Sequence, residues 1–183
     1  DVSLPAVIGS NMVLQRESEV KIWGWAEPEE EIVVTCDWRD TKNAVKADAE
    51  GKWIVELKTG AAGGPHTITI AGKNTIVLED ILFGEVWIGS GRSDMEMPLI
   101  SLSGAYTGID HFSKEVEEAG HPEIRLFQAG NFSSSKPLDD VEPGVDQNLG
   151  RLCAEAAQDA GNRQHGAYAH GRSPGSVARV ACS

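Results

Sequence analysis

The even positions of Glu31-Ile32-Val33-Val34-Thr35-Cys36-Asp37-Trp38 are Ile32, Val34, Cys36 and Trp38, and a period of two puts all four on one side of an extended chain. The period returns in Trp53, Val55 and Leu57, and again in Ile68 and Ile70. Turn-forming clusters separate these runs: Glu27-Pro28-Glu29, Glu50-Gly51-Lys52, Gly63-Gly64-Pro65 and Gly72-Lys73-Asn74. Short half-buried strands at this spacing predict an all-β unit over residues 1–83, a β-sandwich of jelly-roll or immunoglobulin-like type. Trp38 and Trp53 lie on the apolar strand faces and are expected in its core. Trp23 and Trp25 share a strand face whose direction the sequence leaves open, so a sugar-stacking surface is the competing reading for the tryptophans.

The pattern changes at Gly84. Val86-Trp87-Ile88 is apolar at consecutive positions, as in a strand covered on both faces, and it runs into the small-residue turn Gly89-Ser90-Gly91-Arg92-Ser93. A buried strand ending in such a turn is how α/β hydrolytic folds present a nucleophile. Residues 112–119 read as a short polar helix stopped by Gly120, and Ile124-Arg125-Leu126-Phe127 as a second strand. Residues 84–143 therefore look like the opening of an α/β domain. Residues 144–183 contain no Ile, Phe, Trp or Met and read as a divergent low-complexity tail. Asn148 to Ala160 has a helical face, while residues 161–183 hold too little apolar surface to order themselves.

The formal net charge of -12, from 16 Lys+Arg against 28 Asp+Glu, disfavours nucleic acid and anionic membrane faces as partners. No apolar run approaches the ~20 residues of a membrane span. The start Asp1-Val2-Ser3-Leu4-Pro5 is compatible with a mature terminus left by signal cleavage. Cys36, Cys153 and Cys182 are too widely spaced for a disulfide framework or a zinc site, and Cys36 is expected to act as a small apolar residue on a strand. Asp37, Asp40 and Asp48 are scattered and form no metal cluster in the sequence.

The block most charged with chemistry is Gly84-Glu85-Val86-Trp87-Ile88-Gly89-Ser90-Gly91-Arg92-Ser93-Asp94-Met95-Glu96-Met97-Pro98. It resembles the first motif of the sialate O-acetylesterases, a family of the SGNH (GDSL-type) hydrolase superfamily. Other blocks fall in the family's order: Asn11-Met12-Val13-Leu14-Gln15-Arg16, Trp23-Gly24-Trp25-Ala26, Gly63-Gly64-Pro65-His66-Thr67-Ile68, Gly72-Lys73-Asn74, Glu123-Ile124-Arg125-Leu126-Phe127 and Lys136-Pro137-Leu138-Asp139-Asp140-Val141. The resemblance covers roughly residues 3–142.

The resemblance implies an N-terminal β-sandwich followed by a truncated SGNH-type α/β domain. It implies a serine esterase that removes acetyl groups from sialic acid or other carbohydrates without metal or organic cofactor. Ser93 matches the family's nucleophile, with Gly91, Arg92 and Asp94 around it. The chemistry needs a hydroxyl at an exposed strand end and backbone N–H groups aimed at the developing oxyanion; the Ser93 N–H is one such donor. Two positions depart from the family: Arg92 stands for Gln and Asp94 for Asn. A carboxylate beside a forming oxyanion opposes it, so the pair is expected to lower the rate.

The family's later Gly and Asn donors and its Asp-x-x-His base have no counterpart here. Asp110-His111 has the wrong spacing, His66 reads as structural, His121 as a solvated loop residue, and His165 and His170 fall in the tail. The resemblance stops at about residue 142, and a shifted reading frame or an artificial junction there is the expected cause. Bacterial relatives are usually exported, which makes a secreted or periplasmic location the expectation. Unpaired edges of a partial sheet would favour a homo-oligomer. The alternative to the esterase is a catalytically incomplete chain acting as a carbohydrate-binding or structural β-module.

Overall fold

Ile32, Val34 and Cys36 are buried in strand β3 (Glu31–Cys36), while Val33 and Thr35 on its other face are only half-buried. The computed structural model describes residues 1–90, 108, 110–118, 123–127, 129, 134–141 and 176–180. It is mostly β, and it divides into a compact unit of residues 1–86 and a second unit beginning at Trp87.

In the first unit β3 lies within a five-stranded sheet. Its members are β1 (Val13–Gln15), β7 (Thr75–Gly84), β6 (Gly63–Ala71), β3 and β4 (Arg39–Lys46), in that spatial order. A two-stranded sheet pairs β2 (Glu19–Trp25) antiparallel with β5 (Lys52–Lys58). Strict alternation on β5 buries Trp53, Val55 and Leu57 and exposes Lys52, Ile54, Glu56 and Lys58. The buried faces of both sheets meet in one apolar cluster, in which Ile32, Val34, Ile68, Ile70 and Ile81 are 0% exposed. Each such side chain contributes about 1.5–3 kcal/mol through loss of water contact. Trp53 is 3% exposed, and Trp38 packs against the same cluster.

One expected turn is a strand. Gly63-Gly64-Pro65 opens β6, with positive φ at both glycines and a cis Gly64–Pro65 peptide. The β6–β7 register shifts between Gly63 and His66. The Gly-Gly-Pro signal marks an irregularity inside a ladder here rather than its end, because two glycines supply the φ values that a bulge demands. Gly72-Lys73-Asn74 does form the turn from β6 to β7. It is fastened by Glu30, whose carboxylate accepts the Lys73 N–H at 2.6 Å and the Glu27 N–H at 3.0 Å. The Lys73 N–H, with the Glu27 N–H, holds the buried Glu30 carboxyl down to about 2 against the desolvation that would raise it.

The second unit has strands β8 (Ile88–Ser90), β9 (Arg125–Leu126) and β10 (Ser176–Val180), and helix α1 (Phe112–Glu118). The helix falls where the sequence places it, and Lys114 and Glu118 pair across one turn. Two expectations fail. Val86, Trp87 and Ile88 are 37%, 65% and 81% exposed, so this run is not covered on both faces. Covering two faces needs a layer on each, and the helix among the described residues is seven residues long. Residues 176–180, read as part of an unordered tail, form β10 between β8 and β9, antiparallel to both. Val177 and Val180 favour an extended chain, and backbone pairing needs no large apolar side chain, so a ladder can recruit this segment. The helix expected from Asn148 to Ala160 lies outside the described residues.

Candidate functional site

The approach to the expected nucleophile begins at the end of β7. β1 runs parallel to it, with Gln15 opposite Gly84. The ladder continues one step as the Arg16 N–H donates to the Gly84 carbonyl at 3.0 Å. Beyond Gly84 the fastening passes to side chains. The Glu85 carboxylate accepts Gln15 Nε2 at 2.9 Å and Arg16 Nε at 2.7 Å. The other end of the same amide, Gln15 Oε1, accepts the Val86 N–H at 3.0 Å. Gln15 thus spends both its donor and its acceptor on consecutive residues of the outgoing chain.

Gln15 is itself held from behind. Buried Thr59 donates its hydroxyl to the Gln15 carbonyl at 2.7 Å and accepts the Ser18 N–H at 3.0 Å. Gln15 first, and Arg16 beside it, keep the Glu85 carboxyl below its ordinary range. Glu85 in turn raises Arg16. No local sequence pattern pairs the two blocks. The signal was there: Gln15-Arg16 and Glu85 are polar residues set against apolar strand ends, with complementary charge. The residues stand 70 and 69 positions apart, so only the β1–β7 pairing joins them.

Glu85 to Trp87 leave the ladder, and β8 follows at Ile88–Ser90. The sequence-predicted site, Gly91, Arg92, Ser93 and Asp94, lies outside the described residues, as do His121, His165 and His170. His111 is described. It sits exposed in the turn before α1 with φ 58.

Of the two described histidines, His66 has side-chain contacts to its neighbours. Its Nδ1 lies 3.1 Å from Asp37 Oδ1, and Asp37 Oδ2 accepts the Thr67 N–H at 2.8 Å. A carboxylate on one imidazole nitrogen is the base-and-orienter half of a triad. The packing assigns it elsewhere: the ring stacks on Phe83 with centroids 4.2 Å apart, and Trp38 meets both rings edge-on. His66 closes the edge of the first unit's core, in keeping with the structural role expected of it. Cys36 is a buried free thiol, pushed up to about 11 chiefly by burial, which suits a small apolar residue and not a nucleophile. Among the described residues no three His, Cys, Asp or Glu side chains are grouped to hold a metal ion, and no helix is long and apolar enough to cross a membrane.

Trp23, whose direction the sequence left open, is turned outward. It is 37% exposed beside its cross-strand partner Ile54, at 53%.

No protein-family model matches the chain. Among curated proteins it is 31% identical to a mouse sialate O-acetylesterase over 174 residues, covering 89% of this chain and 30% of that protein. The human sialate O-acetylesterase is 28% identical over 145 residues, covering 73% of this chain and 26% of that protein. A crystal structure of a carbohydrate acetylesterase from Xanthomonas citri superposes with a TM-score of 0.66 at 30% identity. It covers 85% of this chain and 35% of its own. The chain therefore spans about a third of the length of the proteins it matches. The 89% share is more than residues 3–142 make up, so the mouse match runs past the last of the motif blocks.

Proposed function

The chain is a relative of the sialate O-acetylesterases, and we propose that it carries the nucleophile portion of a serine esterase acting on acetyl esters of carbohydrates. The observation that carries this reading is the block Gly84–Pro98, set in a chain about 30% identical to two named acetylesterase types. In this reading the Ser93 Oγ attacks the acetyl carbonyl carbon. The carbonyl electrons move onto oxygen, where backbone N–H groups receive them. Collapse breaks the bond to the sugar oxygen, which leaves with a proton, and water then cleaves acetyl-Ser93 to acetate. The proton of Ser93 needs a base within hydrogen-bond reach, the part that an Asp-x-x-His plays in the family.

The reading includes a finer architecture. The first unit is taken as a β-sandwich, residues 84–143 as the opening of an SGNH-type α/β domain, and 144–183 as a divergent extension. The alternation of buried and exposed residues on β3 and β5 supports the first element. A secreted or periplasmic location and self-association through the β8–β10–β9 edges belong to the same proposal.

Hydrolysis of p-nitrophenyl acetate and of an O-acetylated sugar by the wild type tests it directly. Ser93→Ala is expected to lower the rate by at least about a thousandfold, the scale on which a removed nucleophile is felt. Equal rates in the two proteins would take Ser93 out of the mechanism.

A further inference from the structure

The outer face of the β2–β5 ribbon belongs neither to the core nor to the contacts of Glu85. Cross-strand register puts Lys21 opposite Glu56, Trp23 opposite Ile54 and Trp25 opposite Lys52, and partners in register share a face. Trp23 and Ile54 are exposed and Trp25 is half-buried, while Lys21 and Glu56 stand in solvent with their charges 3.8 Å apart. We propose that Trp23, Trp25 and Ile54 form a stacking platform for pyranose sugars, a glycan-binding site of the first unit. The choice of a sugar rests in part on the carbohydrate-esterase reading.

Shape, size and charge select this ligand. Residues two apart on a strand stand about 7 Å apart on one side, so Trp23 and Trp25 follow one another along the face. A pyranose presents C–H bonds on one side and hydroxyls around its rim. The ribbon answers in the same order, with apolar surface at Trp23 and Ile54, Lys21 and Glu56 on one side of it and Lys52 on the other, as donors and acceptors for hydroxyls. The exposed apolar part is two cross-strand pairs long, whereas a stable protein interface takes about 800 Å² from each partner. On a chain of net charge -12, Lys21 and Lys52 outnumber Glu56 here, so a sugar bearing a carboxylate is admitted along with a neutral one.

The platform is fixed before a ligand arrives. β2 pairs with β5 along its length, and Ser3 pairs with Trp25 by N–H to carbonyl bonds in both directions, at 2.8 and 2.9 Å. Gly24, between the two tryptophans, lets the Ser3 carbonyl approach where a Cβ would strike it. Beneath the face, Ile22 and Trp53 are buried. Rigid aromatic anchors lose little freedom on binding, which favours even a small contact.

The test is glycan binding by the full chain, measured by calorimetry with two probes that carry no acetyl ester, neutral xylohexaose and anionic sialyllactose. Trp23→Ala is expected to weaken binding at least about tenfold, and Ile54→Ser to weaken it also. Trp23→Phe, which keeps a stacking face, is expected to recover part of the loss, and all three variants to melt within about 4 °C of wild type. A preference for sialyllactose that added salt removes supports the platform with the lysines reading a carboxylate, and equal binding of the two probes supports it as stacking alone. Binding unchanged in Trp23→Ala, or none with either probe at about 10 mM, overturns the inference. So does a wild type that is dimeric in gel filtration and monomeric as Trp23→Ala, which would give the face to a second copy. A wild type with no Ser93-dependent hydrolysis overturns the esterase reading instead, and since neither probe is an acetyl ester, binding then judges the platform on its own.

Discussion

Ile32 and Ile88 are the same residue in strands of one chain, and they are 0% and 81% exposed. Ile32 belongs to a pattern. Its face continues through Val34 and Cys36, and three other strands supply Ile22, Ile68, Ile70 and Ile81 to meet it. Ile88 belongs to a run, Val86-Trp87-Ile88, whose hydrophobicity is higher per residue but has no such partner faces among the described residues. Alternation reports an amphipathic strand, which one packed layer satisfies. Continuous hydrophobicity reports a demand for two layers, and a demand is not a supply. The first unit is where the sequence carries both halves of its own packing.

Four substitutions sharpen or break that contrast. The largest expected effect is at Phe83, 2% exposed and in ring contact with His66 and Trp38. Phe83→Ala is expected to cost about 3–5 kcal/mol in chemical denaturation followed by tryptophan fluorescence. A loss under about 1 kcal/mol would mean that this core is not the one holding the first unit together. Next is Gly64, at φ 148, where an added Cβ would stand 2.7 Å from the Ile81 carbonyl oxygen and from Leu82 Cδ2. Gly64→Ala is expected to cost about 1–3 kcal/mol in the same assay, because backbone cannot move aside as a flexible side chain does.

Glu30→Gln tests the polar fastening of the β6–β7 turn. The folded carboxyl titrates near 2, below its ordinary 4.5. Its contribution to stability is therefore complete above 4.5 and disappears as pH falls from there toward 2. Glu30→Gln is expected to lower the melting temperature at pH 7 and to flatten the pH dependence across that window. A wild-type melting temperature constant from pH 5 to 2.5 would contradict the assignment. The smallest effect is expected at Ile88. Ile88→Ser should change stability by less than about 0.5 kcal/mol, as at other exposed positions. A loss of about 2 kcal/mol or more would show that Ile88 is covered in solution, and the contrast with Ile32 would collapse.

The fold was legible where the sequence repeats a period. Trp53, Val55, Leu57, Ile68 and Ile70 are buried as their parity requires, and Gly72-Lys73-Asn74 turns as its composition requires. β4 carries no such signal: Arg39-Asp40-Thr41-Lys42-Asn43-Ala44-Val45-Lys46 pairs with β3 at the sheet edge, where one neighbour and open solvent suffice. Gly63-Gly64-Pro65 misled because a turn and a bulge draw on the same permissive residues. The block around Ser93 was legible as a motif, and the contacts of Gln15 and Arg16 with Glu85 were not, because no local rule links positions so far apart.

By itself the sequence determined which faces of β3, β5 and β6 are apolar, since that is a property of neighbouring residues. Only the tertiary structure decided that Gln15 and Arg16 meet Glu85, that His66 leans on Phe83 and that Trp87 and Ile88 stay in water. Each of these depends on which strand lies beside which, and that is settled by the joint burial of surfaces far apart in the chain.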